Sequence, residues 1–563
     1  MRSDRARFHL RETPSATRHG RRLSRRLEYT YRMSQKASPQ AAVVNSAPET
    51  FFEALALQFA GRRAAAAIGI AAFVAGAAVM LAYSPLRQME AGDSAVYDYM
   101  AQCIVRGQVP YRDVIDSKGP GSLYISALVM FSGKEAGLQD ILAVRIFSVL
   151  LVGVLCAITY FVAELYLRSR IAAIIAFSIP LVSEQFAEMM VSGTRPKLPM
   201  ILFGMTTLLL VARDKPFWAG MCSMLSCLCW QPGLAFTGVA VLMFSRYLTS
   251  WRDLRALKVL AGAAVPFVVV IAYFYLAGAL GDLWTWTVHY NYTVYMPEAN
   301  VPPNVALTQV WRLARLALGA NIVWVKISIA GLITYAIERL WRRFKERSIV
   351  AAPDLFRDAL LIPPLVHLGF CVINWQGEES LIPFFPFIGI FAGYFVVAVV
   401  RIIIAILHLK RTPLLARVIE WAPMIPLALI LVSVVRHARG YQLEPGRTLQ
   451  DQEMAFTAVS DVLGPDDKLY VHGTVELLVL LHRANMNAYI FLPYGKDEYI
   501  GSRLPGGFRA ILDEMEAQAP KVIALSRLRT VTHQDDLLAW AAAHYVKIPL
   551  EFAHNSVYIR KQE

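Results

Sequence analysis

The chain has 563 residues, 56% of them hydrophobic and only 17% charged, with a mean hydropathy of +0.44. A soluble protein of this size is about one quarter charged, so the composition excludes an ordinary soluble enzyme and points to a polytopic membrane protein. The net charge of +14 does not imply nucleic acid, because the Lys and Arg residues cluster in short loops between apolar runs, as topology signals do.

In chain order, residues 1–50 read as a disordered basic cytoplasmic tail, with Met33 an alternative start. The tail is too long for a cleaved signal peptide. Apolar runs then predict about eleven spanning helices, near 64–83, 143–166, 171–190, 198–212, 216–230, 233–248, 258–278, 321–338, 357–374, 381–404 and 421–436. Placing the tail in the cytoplasm puts five basic groups on one side: Arg168 and Arg170; Arg213 and Lys215; Arg246, Arg252, Arg255 and Lys258; Arg339, Arg342, Arg343, Lys345 and Arg347; and Lys410, Arg411 and Arg417. Arg436 and Arg439 break the pattern mildly. An odd number of spans leaves the C-terminus outside. The expected organisation is a membrane domain over 51–440, with a first outer loop at 84–142 and a second outer segment at 279–320. A periplasmic α/β domain follows over 441–563.

In that last region DKLYVHG reads as a strand and turn, VELLVLLHR as a helix, FRAILDEMEAQAP as a helix before the strand KVIALS, HQDDLLAWAAAHY as a helix and NSVYIRK as a final strand. No Gly-rich phosphate loop or internal repeat is present. Cys156, Cys222, Cys227, Cys229 and Cys371 fall in apolar segments and Cys103 stands alone, so no disulfide framework is expected. Cys227-Leu228-Cys229 lacks zinc-site spacing, and His472, His482, His533, His544 and His554 lack ligand spacing, so no metal is expected either. Asn291-Tyr292-Thr293 is a formal glycosylation acceptor only in a eukaryotic host.

The first outer loop carries the densest chemistry. Glu90 and Asp93 lie three residues apart just past the first span, and Tyr97 follows one turn later. A partly desolvated carboxylate there can act as a general base; the alternative is a solvated helix end. Tyr99, Met100, Ile104 and Val105 form a stripe suited to a helix in the interface plane. The turn-rich GQVPYRDVIDSKGPG then packs Arg112, Asp113, Asp116 and Lys118 among fixed turns, cations and acceptors that suit a phosphate and a sugar.

The order Gly-Asp, Tyr, Gly, Pro-Tyr-Arg-Asp, Asp, Lys-Gly-Pro between Gly92 and Pro120 resembles the first periplasmic loop of GT-C fold glycosyltransferases. The pattern is similar to bacterial protein mannosyltransferases and the aminoarabinose and galacturonic acid transferases of lipid A, a glycosyltransferase family 39-like group. Arg145 at the second span and the Pro383–Pro386 run in LIPFFPFIGIFAG fit it as well. The resemblance implies a mainly α polytopic membrane fold. It also implies an inner-membrane enzyme that moves a sugar from a polyprenyl-phosphate donor to a lipid, glycan or protein acceptor on the periplasmic face. It needs no cofactor, and its polyprenyl chain would lie between spans. Asp93 is the implied base, with Glu90 as the alternative. Arg112, Lys118, Arg195 and Lys197 would neutralise the donor phosphate. Tyr97, Asp113, Asp116, His289 and Glu379 are candidates for sugar or acceptor contacts. Two departures stand out: Glu379-Ser380 replaces the His-Tyr pair of many relatives, and Arg195-Pro196-Lys197 stands where many are acidic, which favours an anionic ligand.

Three other groups have two readings each. Trp284, Trp286, His289, Tyr290, Tyr292 and Tyr295 form either an interfacial aromatic belt or a sugar platform. Glu184 and Glu188 line a wet cavity or act in it. Asn374–Glu379 meets sugar hydroxyls or caps a loop. The rival functions are a transporter or flippase of lipid-linked sugars, which would carry mid-membrane charges and related halves, a surface-polysaccharide polymerase or ligase, and a receptor.

Overall fold

A computed structural model describes residues 62–90, 92–191, 193, 195–245, 253–299, 302–346, 355–408, 412–440, 447–473, 475–550 and 555–561. The expected tail lies outside them, as do Arg246, Arg252, Arg347, Lys410, Arg411 and His554 and the side chains of Glu184 and Glu188. Residues 67–563 form one unit; the first described residues, 62–66, belong to another.

Among the described residues ten of the eleven expected spans each coincide with a single helix. α1 (Arg62–Ala82) precedes two helices of the 84–142 loop, α2 (Gly92–Val105) and α3 (Pro120–Glu135). Then come α4 (Asp140–Leu167), α5 (Arg170–Leu181), α6 (Glu184–Val191), α7 (Lys197–Ala212), α8 (Pro216–Cys229), α9 (Leu234–Ser245) and α10 (Arg255–Leu276). Among the described residues six helical stretches are long and apolar enough to cross a membrane, and four apolar helices are shorter. The run expected over 171–190 is broken. Pro180 lacks the N–H of a continuing helix, α5 stops at Leu181, and Ser183 Oγ accepts the Phe186 N–H (3.2 Å) to start α6.

The 279–320 segment is helical too. α11 (Leu280–Trp284) runs into π-helical turns at Thr285–His289 and Asn291–Tyr295, and α12 (Pro303–Leu318) follows. Next are α13 (Ile322–Glu346), α14 (Ile362–Ile373), the 3-10 segment Glu378–Phe384, α15 (Phe385–Ile406), α16 (Pro413–Trp421) and α17 (Met424–Gly440).

Helices cross where glycine removes the side chain. A Cβ on Gly220 of α8 would lie 1.9 Å from the Val259 carbonyl oxygen of α10, and one on Gly262 of α10 would lie 1.9 Å from the Phe217 oxygen of α8. Gly389 of α15 meets Ala176 of α5 in the same way. On α10 Phe267, Val268 and Val269 face outward while Val259, Gly262 and Ala263 are buried, the arrangement of a lipid-facing helix.

The C-terminal region begins with α18 (Leu449–Val462) and forms a four-stranded sheet: β1 (Leu469–His472), β2 (Val522–Leu525), β3 (Tyr545–Ile548) and β4 (Ser556–Arg560), in the order β1-β2-β4-β3. β1 and β2 are parallel and the other pairs antiparallel. Around it lie α19 (Glu476–Leu480), α20 (Lys496–Gly501), α21 (Arg509–Gln518) and α22 (Gln534–His544). The expected strands and the helices α19, α21 and α22 are present, α19 shorter than VELLVLLHR; β3, α18 and α20 were not foreseen.

One expectation about α2 is corrected. Tyr99 and Met100 do not lie along the membrane interface. They pack in one core with Leu449, Phe456, Val471 and Leu478 of the C-terminal region. Every residue from Ser94 to Cys103 is buried, so protein surrounds this helix. The amide of Gln452 grips the Glu90 backbone twice: Glu90 N–H donates to Oε1 (2.8 Å) and Nε2 donates to Glu90 O (2.9 Å).

Candidate functional site

A cavity of about 380 Å³ opens where α2, the first loop, the 279–320 segment, the mouth of α7 and the C-terminal region meet. Asp93 enters it from the first turn of α2, and Tyr97 shares that face one turn later. The first loop contributes Asp116 and Lys118. Lys118 is placed by a tight reversal: Tyr111 N–H donates to Val114 O (2.7 Å) and Tyr111 Oη to Lys118 O (2.7 Å). Its ammonium donates to Gln376 Oε1 (2.6 Å) and lies over the Tyr295 ring. Lys197 lines the cavity as well. It contacts Glu379 (3.4 Å) and lies 5.1 Å over the Trp230 ring, while Arg195 pairs with the same carboxylate.

Of the residues singled out in the sequence, Asp93, Tyr97, Asp116, Lys118, Lys197 and Glu379 therefore line one cavity, with Arg195 bonded to its wall. Four do not reach it. Arg112 and Asp113 pair with each other (2.8 Å); Arg112 also donates to Ala277 O (2.8 Å), and Asp113 accepts the Val109 N–H (2.7 Å). That makes them a clasp for the loop. His289 bonds Tyr499 Oη (2.8 Å) in the aromatic core. Glu90 is fully buried against Arg145 (2.8 Å), and Arg145 also donates to the carbonyls of Pro85 and Gln88. This pair braces the entry to α2, and burial raises the Glu90 carboxyl above its ordinary range even against Arg145.

The aromatic segment divides between its two readings. Tyr290 and Tyr295 line the cavity, Trp286 is core, and Trp284 and Tyr292 are exposed. Trp375, Gln376 and Gly377 of the NWQGEE stretch also line it.

Sequence reasoning missed Phe491, Tyr494, Lys496 and Arg527, all from the C-terminal region. Lys496 is 3% exposed. Its ammonium lies 5.0 Å from the Phe491 ring and 5.6 Å from the Tyr290 ring, with no carboxylate bonded to it among the described residues. Burial pulls its pKa below the ordinary lysine value. Arg527 Nη1 donates to Asp93 Oδ1 (3.0 Å). Burial raises the Asp93 carboxyl, but Arg527 first, then Arg195 and Lys118, outweigh it and hold the group below the usual carboxylate range. Five cations thus surround three carboxylates, a balance that attracts an anion.

A second, apolar groove of about 250 Å³ runs among α12, α13, α14 and α15. Leu381 and Phe384 line it, so the 3-10 segment Glu378–Phe384 borders both the polar cavity and the groove.

No protein-family model and no curated protein matches the chain. Among solved structures it is similar to ArnT from Cupriavidus metallidurans in the apo state, with a TM-score of 0.54 at 14% identity over 88% of this chain and 98% of that one. AglB, the archaeal oligosaccharyltransferase from Archaeoglobus fulgidus in complex with an inhibitory peptide and a dolichol-phosphate, aligns with a TM-score of 0.49 at 13% identity, over 88% of this chain and 74% of that one. The likeness to ArnT shows the fold: the chain is a multi-pass membrane protein with the GT-C architecture expected from its first loop.

Proposed function

We propose that this protein is an integral-membrane glycosyltransferase that moves a sugar from a polyprenyl-phosphate donor to a lipid, glycan or protein acceptor at the periplasmic face of the inner membrane. The observation that carries the reading is the pairing of an open carboxylate with surplus cations, beside an apolar groove that shares a wall with them. The prenyl chain lies in the groove. The phosphate sits among Lys118, Lys197 and Lys496; among the described residues Lys197 alone of the three pairs with a carboxylate, that of Glu379. The sugar lies against Tyr290, Tyr295 and Tyr494.

In the reaction Asp93 Oδ2 takes the acceptor hydroxyl proton. The acceptor oxygen bonds to the anomeric carbon as the carbon–oxygen bond to the phosphate breaks, with inversion, and the electron pair leaves on the phosphate oxygen. The buried cations stabilise that growing charge in a site of low dielectric. The periplasmic placement rests on the distribution of loop charges.

The test is reconstitution in liposomes with undecaprenyl-phosphate sugars (a hexose, a uronic acid and an aminopentose). Wild type is expected to release undecaprenyl phosphate from one of them, and Asp93→Asn to fall at least ~100-fold, the usual scale of a lost general base. Undiminished transfer by the variant removes Asp93 as base.

A further inference from the structure

Asp93 is held from outside its own helix. Gly92, directly before it, has φ +62°, and Arg527 has φ +52°. Both backbones lie in the left-handed region, which a non-glycine residue adopts only when its surroundings enforce it. Arg527 follows β2 and precedes a 3-10 turn at Leu528–Thr530. Its guanidinium meets Asp93 Oδ1 at 3.0 Å and lies over the Phe491 ring. A Cβ on Gly92 would come within 3.7 Å of Arg527 Nη2.

His472, fully buried at the end of β1, fastens this loop. Its Nδ1–H donates to Ser526 O (3.0 Å), and its Nε2 accepts the Leu492 N–H (3.0 Å). One bond fixes the residue before Arg527 and the other the residue after Phe491. Only the neutral ring with its proton on Nδ1 makes both. Burial holds the ring neutral, with its pKa at about 4. Gly473 beside it has φ +100°, and a Cβ there would lie 2.3 Å from Ser526 Oγ.

We infer that Arg527 is a positioning residue for Asp93: it grips Oδ1 and leaves Oδ2 turned to the cavity for the acceptor hydroxyl, while His472 fixes Arg527 in turn. The inference rests on the reaction proposed above. Oδ2 has no protein partner among the described residues, so the grip removes rotational freedom without occupying the reactive oxygen. The same contact keeps Asp93 ionised. Its other charged neighbours are Arg195 and Lys197 at the mouth of α7, Asp116 and Lys118 in the first loop, Glu379 on the 3-10 segment and Lys496 on α20. Tyr97 on α2 and Tyr295 on the 279–320 segment face it as well.

The test compares Arg527→Ala, Arg527→Lys and, as a surface control, Arg509→Ala in reconstituted full-length protein. Arg527→Ala should lower kcat at least ~10-fold with donor KM within about twofold, and should move the acidic limb of the rate profile up by about one pH unit. Arg527→Lys should restore part of both, and Arg509→Ala should change neither. An unmoved acidic limb in Arg527→Ala overturns the inference; so does a loss confined to donor KM, which would make Arg527 a donor ligand. Absence of turnover in wild type would remove the reaction itself. Carbodiimide labelling read by mass spectrometry then still decides on the grip, because it reports the protonated Asp93 carboxyl without any substrate. Labelling that persists to higher pH in Arg527→Ala than in wild type supports the grip, and identical profiles sink it.

Discussion

At the scale of single residues, α2 carries two aspartates with opposite fates. Asp93 faces cations and stays ionised. Asp98, five residues on, is fully buried, and neither carboxylate oxygen has a partner among the described residues. Burial, then the neighbouring Glu90, push its pKa well above the ordinary value. The folded state therefore binds a proton that the unfolded chain releases, so Asp98 favours folding at low pH and loses that contribution as pH rises from about 4 through its folded value. Asp98→Asn should melt at or above the wild-type temperature at pH 8, with the advantage gone at pH 4, in thermal scans of the detergent-solubilised protein. A variant that melts lower at pH 8 would mean that Asp98 works as a charge. Lys496→Met tests a different residue: it should weaken undecaprenyl-phosphate binding at least ~10-fold in a titration while leaving the melting temperature near wild type, because removing an unpaired buried ammonium relieves desolvation. The sequence alone separated these residues only in part. Lys118 was legible because its loop is dense in turn formers and ions. Asp93 and Glu90 looked alike, and what parts them is Arg145, which reaches Glu90 from 55 residues away. Arg527 could not be read at all, since its contact with Asp93 spans 434 residues and no local pattern encodes it.

At the scale of elements, the membrane helices were legible because apolar length is a strong local signal, and the break at Pro180 is the exception that its chemistry explains. The crossings were not legible, because they depend on which glycine meets which backbone. Gly220 and Gly262 each sit on the carbonyl of the other's helix, and this reciprocity sets how closely α8 and α10 approach. Gly220→Ala should destabilise by about 1–3 kcal/mol, the scale of overpacking. Gly238→Ala in α9 meets nothing within 4 Å and should be neutral or stabilising by a few tenths to ~1 kcal/mol from helix propensity. Equal melting temperatures for the two variants would contradict the close crossing.

At the scale of the whole molecule, the 84–142 loop and the C-terminal region form one body. They share a hydrophobic core, the Gln452 clamp on Glu90 and the Asp93–Arg527 pair. The strands and helices of that region were readable one by one, but nothing local said that α2 would be enclosed by them. Amides of α2 should accordingly exchange with deuterium together with those of β1 and β2, in one slow cooperative step. Exchange of α2 on the fast timescale of exposed loops would refute the shared core.

Donor binding in the apolar groove, as proposed above, governs the kinetics. Leu307 and Leu365 on its walls are each 52% exposed, so the groove opens on the apolar outer surface of the helices. A carrier that enters and leaves through that side never crosses water. Its encounter rate is then set by two-dimensional diffusion and by its mole fraction among bilayer lipids. Diluting the liposomes at fixed composition should leave the rate per enzyme unchanged, while adding inert phospholipid should slow it.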